Sequence, residues 1–406
     1  MKILFILNSF YPSIGGVEKV TENYCNELIK MGHEIYLISF RRGQISSMNL
    51  NTTPDFEVYN GINLYRVSDR FYGIFMFFKM IKIYKKVKFD LIQFSDFWGV
   101  FAIFFKLKYN IPIVHHLHGY QEICPTGLYL CGNSHKYSIK QCHSYCSQGL
   151  LKILRERFIY KSIWKFTDLI VAVSDAVKFA YIKTKFSLKK KILTIYNGIS
   201  LDENGASSST KNLYQIDNSN EKKDRVLLFV GRLIDHRNII KIIRILPELI
   251  EKISNLKLII TGSGPKALLL KSEVEKNGLN KNVVFTGILT GDKLANMYLN
   301  ADLLVMPITF PEPLSTVIIE AMSKGCPVIT FNIGGMPEII DNEKDGFLIP
   351  PYDWELFKEK IIKILTDNKK LIKIKQNAKK KVELKFNIRN QARKINKIYL
   401  KLMGRK

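Results

Sequence analysis

The chain has 406 residues, 47% of them hydrophobic, which exceeds one ordinary domain and suffices for about two cores. Lys+Arg number 62 against 36 Asp+Glu, a net charge of +26. The basic residues are spread along the chain with no nucleic-acid motif, so nucleic acid is not an expected partner, while an anionic membrane surface remains one. Apolar runs are short and broken by lysine, so none reaches the ~20 residues that a membrane span needs.

Residues 1–7, MKILFIL, imitate the start of a signal peptide. The apolar core is short, however, and residues 8–12 follow it in place of a small-residue cleavage site, so the run reads as a buried first strand of a cytoplasmic chain. Strand-like runs at 2–7, 34–39, 91–94, 111–115 and 169–173 alternate with helical patterns, as parallel α/β layers do. After the first run, Gly15-Gly16 makes a turn that opens a helix. Paired glycines let a ligand approach the backbone, and a helix start favours negative charge.

The fourth run ends in His115, and His116 and, before Gly119, His118 follow it. Four cysteines follow: Cys124, Cys131, Cys142 and Cys146. Four thiols within 23 positions of a cytoplasmic chain suggest a structural zinc before a disulfide, with His135 and His143 as substitute ligands. The spacing is looser than a zinc finger's, so redox use and unpaired thiols stay open. Four thiolates would leave no position for catalysis.

A second series of runs, at 226–230, 256–260, 283–286, 303–307 and 327–331, predicts a second α/β half. Residues 202–224, rich in Ser, Asn and Lys, read as the linker. The expected domains are therefore two Rossmann-like halves, 1–200 and 201–380. The tail beyond 380 is a basic amphipathic helix or pair of helices.

The second half holds the denser motifs. Gly231-Arg232-Leu233-Ile234-Asp235-His236-Arg237-Asn238 follows its first run, and Thr261-Gly262-Ser263-Gly264-Pro265 its second. The stretch from Phe310 to Met322 reads as a loop entering a helix start, with Ser315 and Thr316 suited to capping, Glu312 before the helix and Glu320 about two turns along it. Such a start offers free N–H groups to phosphate. Gly334-Gly335-Met336-Pro337-Glu338 comes after the last run.

Together these stretches resemble the nucleotide-sugar site of the family 4 retaining glycosyltransferases. The resemblance implies the GT-B fold, with an interdomain cleft and a last helix, here 381–406, crossing back onto the first domain. It implies that Glu312 touches the transferred sugar and Glu320 the ribose, that Arg232 and Arg237 clamp the diphosphate, and that Leu314, Ser315 and Thr316 offer backbone N–H groups to it. It further implies that Gly15 and Gly16 face diphosphate and acceptor, that Gly262 is nucleotide-side scaffolding, and that His118, with His116 next, contacts the sugar. Asn197-Gly198-Ile199 closes the first domain. Three departures stand out: Arg237 where the family has Lys, Asn238 where it has Gly, and Leu314, Ser315 and Thr316 in place of its common Phe-Gly followed by an apolar residue.

The implied donor is a UDP- or GDP-sugar, and the acceptor a lipid-linked molecule or oligosaccharide. No Asp-x-Asp pair occurs, so a metal-chelated diphosphate is not expected. The aromatic stretches 71–84 and 97–105, with the basic composition, suit a protein lying on the cytoplasmic membrane face. Among rivals, a glycosidase would need its carboxylates ~5 to 9.5 Å apart, whereas eight helical steps separate Glu312 and Glu320 by roughly 12 Å. A dinucleotide oxidoreductase would need a Gly-x-Gly-x-x-Gly after a strand, which is missing. A nucleotide-sugar epimerase or a non-catalytic sugar-nucleotide binder on the same fold is the alternative.

Overall fold

A computed structural model describes residues 1–13, 15–41, 53–68, 73–124, 127, 149–184, 191–201 and 224–404. The chain divides into two units, Met1–Ser200 with Asn387–Lys406, and Leu201–Phe386.

The first unit is an eight-stranded sheet: β1 (Lys2–Leu7), β2 (Glu34–Phe40), β3 (Phe56–Tyr59), β4 (Ile62–Val67), β5 (Leu91–Phe94), β6 (Ile113–Leu117), β7 (Leu169–Ala172) and β8 (Ile192–Thr194), in the order β3-β4-β2-β1-β5-β6-β7-β8. Only the β3–β4 pair is antiparallel among these ladders. β1 lies inside the sheet, and Ile3, Leu4, Phe5 and Ile6 are buried on both faces, which is why the run is continuously apolar. The β3–β4 hairpin was not among the sequence-predicted strands. Its signal is Asn60-Gly61, both with positive φ (49° and 80°), the pair that a tight two-residue turn demands.

β6 begins at Ile113 rather than 111, because Pro112 has no N–H for the ladder; its carbonyl still accepts from Ile92. The strand therefore ends at Leu117, and His118 is the first residue beyond it. The segment that returns to this unit begins at Asn387 rather than 381. Phe386 is fully buried after the helix Asn368–Lys385, and the Asn387 side chain caps the helix Ile388–Leu402 by accepting from the Arg389 N–H at 2.9 Å. Ile388, Ala392, Ile395 and Tyr399 then join Tyr24 and Leu28 of the helix Gly16–Lys30 in the core. The Ile388 N–H donates to the Ile199 carbonyl at 3.0 Å, so residues 197–199 serve to seat the returning helix.

The second unit is a parallel six-stranded sheet: β9 (Arg225–Val230), β10 (Leu256–Thr261), β11 (Val283–Gly287), β12 (Leu303–Met306), β13 (Val328–Phe331) and β14 (Phe347–Ile349), in the order β11-β10-β9-β12-β13-β14. The order reverses between β9 and β12. At such a reversal the connecting helices leave on opposite faces and open a crevice beyond the strand ends. The loops that follow β9 and β12 carry the arginine motif and Glu312. No described helix is long and apolar enough to cross a membrane.

Candidate active site

The loop after β9 lies directly on the loop after β10. The N–H groups of Gly231 and Leu233 donate to the carbonyls of Thr261 and Ser263, each at 2.9 Å. A Cβ on Gly262 would stand 1.9 Å from the Gly231 carbonyl oxygen, so only glycine permits this backbone contact.

The departures at Arg237 and Asn238 have separate physical accounts. Asn238 sits at φ 50°, ψ 25°, the left-handed region that glycine fills most easily and asparagine next. Its amide also donates to Thr309 Oγ1 at 2.7 Å and to the Pro307 carbonyl at 3.2 Å, tying the β9 loop to the β12 loop as glycine could not. Arg237 uses its extra reach to pair with Glu312, Nη2 to Oε1 at 3.2 Å, beneath the Phe310 ring, whose centroid is 5.9 Å from the guanidinium carbon. Both side chains are mostly buried, with 15% and 14% exposure.

Arg237 Nε and Nη1, Glu312 Oε2 and Ser315 Oγ are all buried and have no hydrogen-bond partner. Buried polar atoms in folded proteins are ordinarily bonded, so orphans in one place need an explanation. Three of these atoms can donate, and the carboxylate oxygen can accept. A ligand that brings anionic oxygens and hydroxyls together satisfies both kinds. Arg232 is exposed on the same loop as Arg237.

Ser315 precedes the helix Thr316–Ser323 in extended geometry, but its hydroxyl makes no capping bond, unlike the capping role the sequence suggests. Leu314 is buried beside it. Gly334-Gly335, after β13, supports the stretch from below: the Gly335 N–H donates to the Glu312 carbonyl at 2.9 Å, and a Cβ there would stand 2.0 Å from the Pro313 carbonyl oxygen. Glu320 accepts from the Tyr298 hydroxyl at 3.3 Å. Tyr298 lies on the helix Gly291–Asn300 and is buried; burial first, then the Glu320 charge, pushes its phenol far above the usual range, so it remains a donor. Nothing local marked Tyr298, whereas Asn238 stood inside the motif after β9 and only its side-chain ties to the β12 loop were invisible in the sequence.

In the first unit, the three histidines alternate across β6. His116 and His118 share a face, with ring centroids 4.4 Å apart, whereas His115 Nε2 meets the buried Glu122 Oε1 at 2.7 Å, and Glu122 also accepts from the Trp164 indole. His116 is held within the strand, 3.5 Å from Gln93 Nε2. His118 is half-buried, and burial first, then the His115 charge, lowers it to about 4. It is therefore neutral at pH 7, able to exchange hydrogen bonds with a hydroxyl but bringing no positive charge.

At the Gly15-Gly16 turn, the Glu18 carboxylate folds back over Gly15 and accepts from Ser9 Oγ at 2.5 Å. The chain's own anion thus lies at the helix start where a ligand's charge was expected. Of the four clustered cysteines, Cys124 is buried, while Cys131, Cys142, Cys146, His135 and His143 lie outside the described residues. No group of three metal-capable side chains occurs among the described residues.

Two largely parallel α/β sheets, with a loop site of this chemistry at the reversal of the second, are compatible with a sugar-nucleotide-dependent transferase. The sequence matches the model for Glycosyltransferase Family 4 over residues 14–203 and that for Glycosyl transferases group 1 over residues 211–381. The chain belongs to glycosyltransferase family 4 and has the GT-B fold; retention of anomeric configuration and chemistry without a divalent metal come with that membership.

It is 28% identical over 381 residues to an uncharacterized glycosyltransferase of Methanocaldococcus jannaschii, covering 90% of each chain. It is 20% identical over 355 residues to alpha-monoglucosyldiacylglycerol synthase of Streptococcus pneumoniae, covering 86% of this chain and 75% of that protein. Anabaena HepE in complex with UDP-glucose has a similar fold, with a TM-score of 0.73 at 20% identity over 98% of this chain and 99% of that one.

Proposed function

We propose that the chain transfers a hexose from a UDP- or GDP-sugar to a lipid-linked or glycan acceptor on the cytoplasmic face of a membrane. The observation that carries the donor side is the set of buried, unbonded atoms of Arg237, Ser315 and Glu312, since a sugar diphosphate presents both the anionic oxygens and the hydroxyls that they need. As the glycosidic bond breaks, charge grows on the leaving diphosphate. Arg232, Arg237 and the N–H groups from Leu314 to Thr316 stabilise it there, fixed in place before the reaction starts.

Glu312 holds the sugar, Glu320 the ribose, and His118 is the first unit's candidate for a sugar hydroxyl. The UDP-glucose held by HepE supports a uridine donor, and the diacylglycerol in the pneumococcal relative's name supports a lipid acceptor. The clustering of Cys124, Cys131, Cys142 and Cys146 within 23 positions supports a structural zinc ahead of redox use or unpaired thiols, which elemental analysis of the wild type and of Cys124→Ser tests.

The deciding experiment screens UDP-, GDP-, ADP- and dTDP-hexoses for thermal stabilisation and slow hydrolysis. One nucleotide class should stabilise the chain, and Glu312→Ala should retain that stabilisation while losing hydrolysis. No stabilisation by any donor, or hydrolysis undiminished in Glu312→Ala, overturns the reading.

A further inference from the structure

A line of polar side chains crosses the apolar core of the first unit and ends at His118. Val114 and His116 face the same side of β6, because side chains alternate along a strand, and His118 continues that side. The helices Gly16–Lys30 and Ile388–Leu402 cover it, their Tyr24, Leu28, Ile395 and Tyr399 joining Phe5 and Val114 in one core. Gln93 of β5 stands opposite Val114 in the ladder and is buried among them, as are His116 and Tyr399.

An apolar residue would fill the place of Gln93 without desolvating an amide, so a glutamine there needs both ends bonded. The Tyr399 hydroxyl donates to Gln93 Oε1, and Gln93 Nε2 lies 3.5 Å from His116 Nδ1. An amide nitrogen only donates, so Nδ1 is the acceptor and a neutral His116 ring carries its proton on Nε2. The ring is neutral because burial first, then the charges of His118 and His115, pushes it well below the usual histidine range.

The other polar groups around His116 are engaged elsewhere. The Tyr24 ring meets it edge-on at 5.8 Å, but the Tyr24 hydroxyl donates to the Tyr196 carbonyl at 2.9 Å, and His115 turns to Glu122 on the opposite face. His118 packs on the His116 ring, and both of its own nitrogens are buried and unbonded.

We propose that Tyr399 and Gln93 are positioning residues for His118: through the Gln93 amide they fix the tautomer and orientation of the His116 ring, and that ring seats His118 with its nitrogens free for a ligand's hydroxyl. This role rests on the reading of His118 as a sugar contact. Tyr399 and Gln93 are 306 positions apart, so the seat is complete only once the last helix has returned to the first unit.

Ring-nitrogen NMR spectra of the full chain at pH 7.5 test it, with His116 assigned by its loss in His116→Gln. The wild type should show a protonated Nε2 and a bare Nδ1 at His116. Tyr399→Phe removes one oxygen and lets the amide turn, so the His116 signals should move towards a mixture of tautomers and the His118 signals should move with them. Tyr24→Phe, which loses a buried hydroxyl from the same core without touching Gln93, should lower the melting temperature and keep the tautomer. Slow hydrolysis of the nucleotide sugar that stabilises the chain should fall roughly tenfold in kcat in Tyr399→Phe at unchanged donor KM, and the same change should add nothing in a His118→Ala background. Gln93→Leu gives the same readouts should Tyr399→Phe melt early.

A proton on Nδ1 of wild-type His116, histidine signals indifferent to Tyr399→Phe, or a loss of hydrolysis equally large with and without His118 overturns the proposal. Should no nucleotide sugar stabilise the wild type, the donor reading falls while the ring spectra still decide whether Tyr399 and Gln93 hold the two histidines.

Discussion

The two units present their polar groups in opposite ways. In the second, backbone touches backbone through Gly262 and Gly335, and charged atoms of Arg237 and Glu312 are buried with bonding capacity to spare. In the first, His116 and His118 pack against one another and are held neutral, and the adjoining helix starts offer apolar side chains to solvent. The contrast is one of ligand chemistry. A diphosphate needs fixed charges and dipoles that do not have to reorganise during the reaction, and a rigid loop cradle is the kind of structure that can supply them. Neutral imidazoles can exchange hydrogen bonds with uncharged hydroxyls.

The sharpest way to break the contrast is at Arg237. Arg237→Met should lower kcat/KM by about 10²–10³, the range for losing one fixed donor to a developing anion. It should also lower the melting temperature, because Glu312 is left buried without its partner. Arg237→Met combined with Glu312→Gln should regain the melting temperature and remain inactive. If the double variant melts no higher than the single, the ion pair is not what ties the two loops together.

A smaller effect is expected at Tyr298, which touches Glu320 rather than the donor. Tyr298→Phe should raise the donor KM about fivefold, the worth of one hydrogen bond of roughly 1 kcal/mol, and leave kcat unchanged. Discrimination between the ribonucleotide and its 2′-deoxy analogue should shrink in parallel. Loss of that discrimination in Glu320→Ala but not in Tyr298→Phe would mean that the tyrosine does not orient the carboxylate.

The smallest effect belongs to the first unit and appears in its pH dependence. His118 titrates at about 4 in the folded chain against 6.5 ordinarily, so between these values the unfolded chain binds the extra proton. Stability is therefore present above pH 6.5 and is lost as pH falls towards 4; His116, lowered in the same direction by burial and then by the charges of His118 and His115, adds to it. Denaturant midpoints at pH 7.5 and 5 should differ less in His118→Asn than in the wild type. An unchanged difference would sink the assignment.

Much of this was legible locally. Ten of the parallel strands announced themselves as apolar runs because they are covered on both faces, whereas the half-exposed β3–β4 hairpin, marked only by Asn60-Gly61, and the three-residue strands β8 and β14 did not. Glu312, Arg237 and Glu320 stood out because loop and helix-start motifs are short-range. Ser315 shows the limit: it occupies a capping position, and its hydroxyl nonetheless caps nothing.

Alone, the amino-acid order determined the two α/β halves, the loop motifs of the second half to which donor binding is proposed, and the excess of positive charge. Each of these depends on neighbours in the chain, through strand and helix periodicity or through backbone conformation. Tertiary structure alone decided that Arg237 reaches Glu312, that Asn238 ties itself to Thr309, that Tyr298 addresses Glu320, and that the helix from Ile388 packs beside Tyr24. Such pairs lie far apart along the chain, and only the order of the strands brings them within bonding distance.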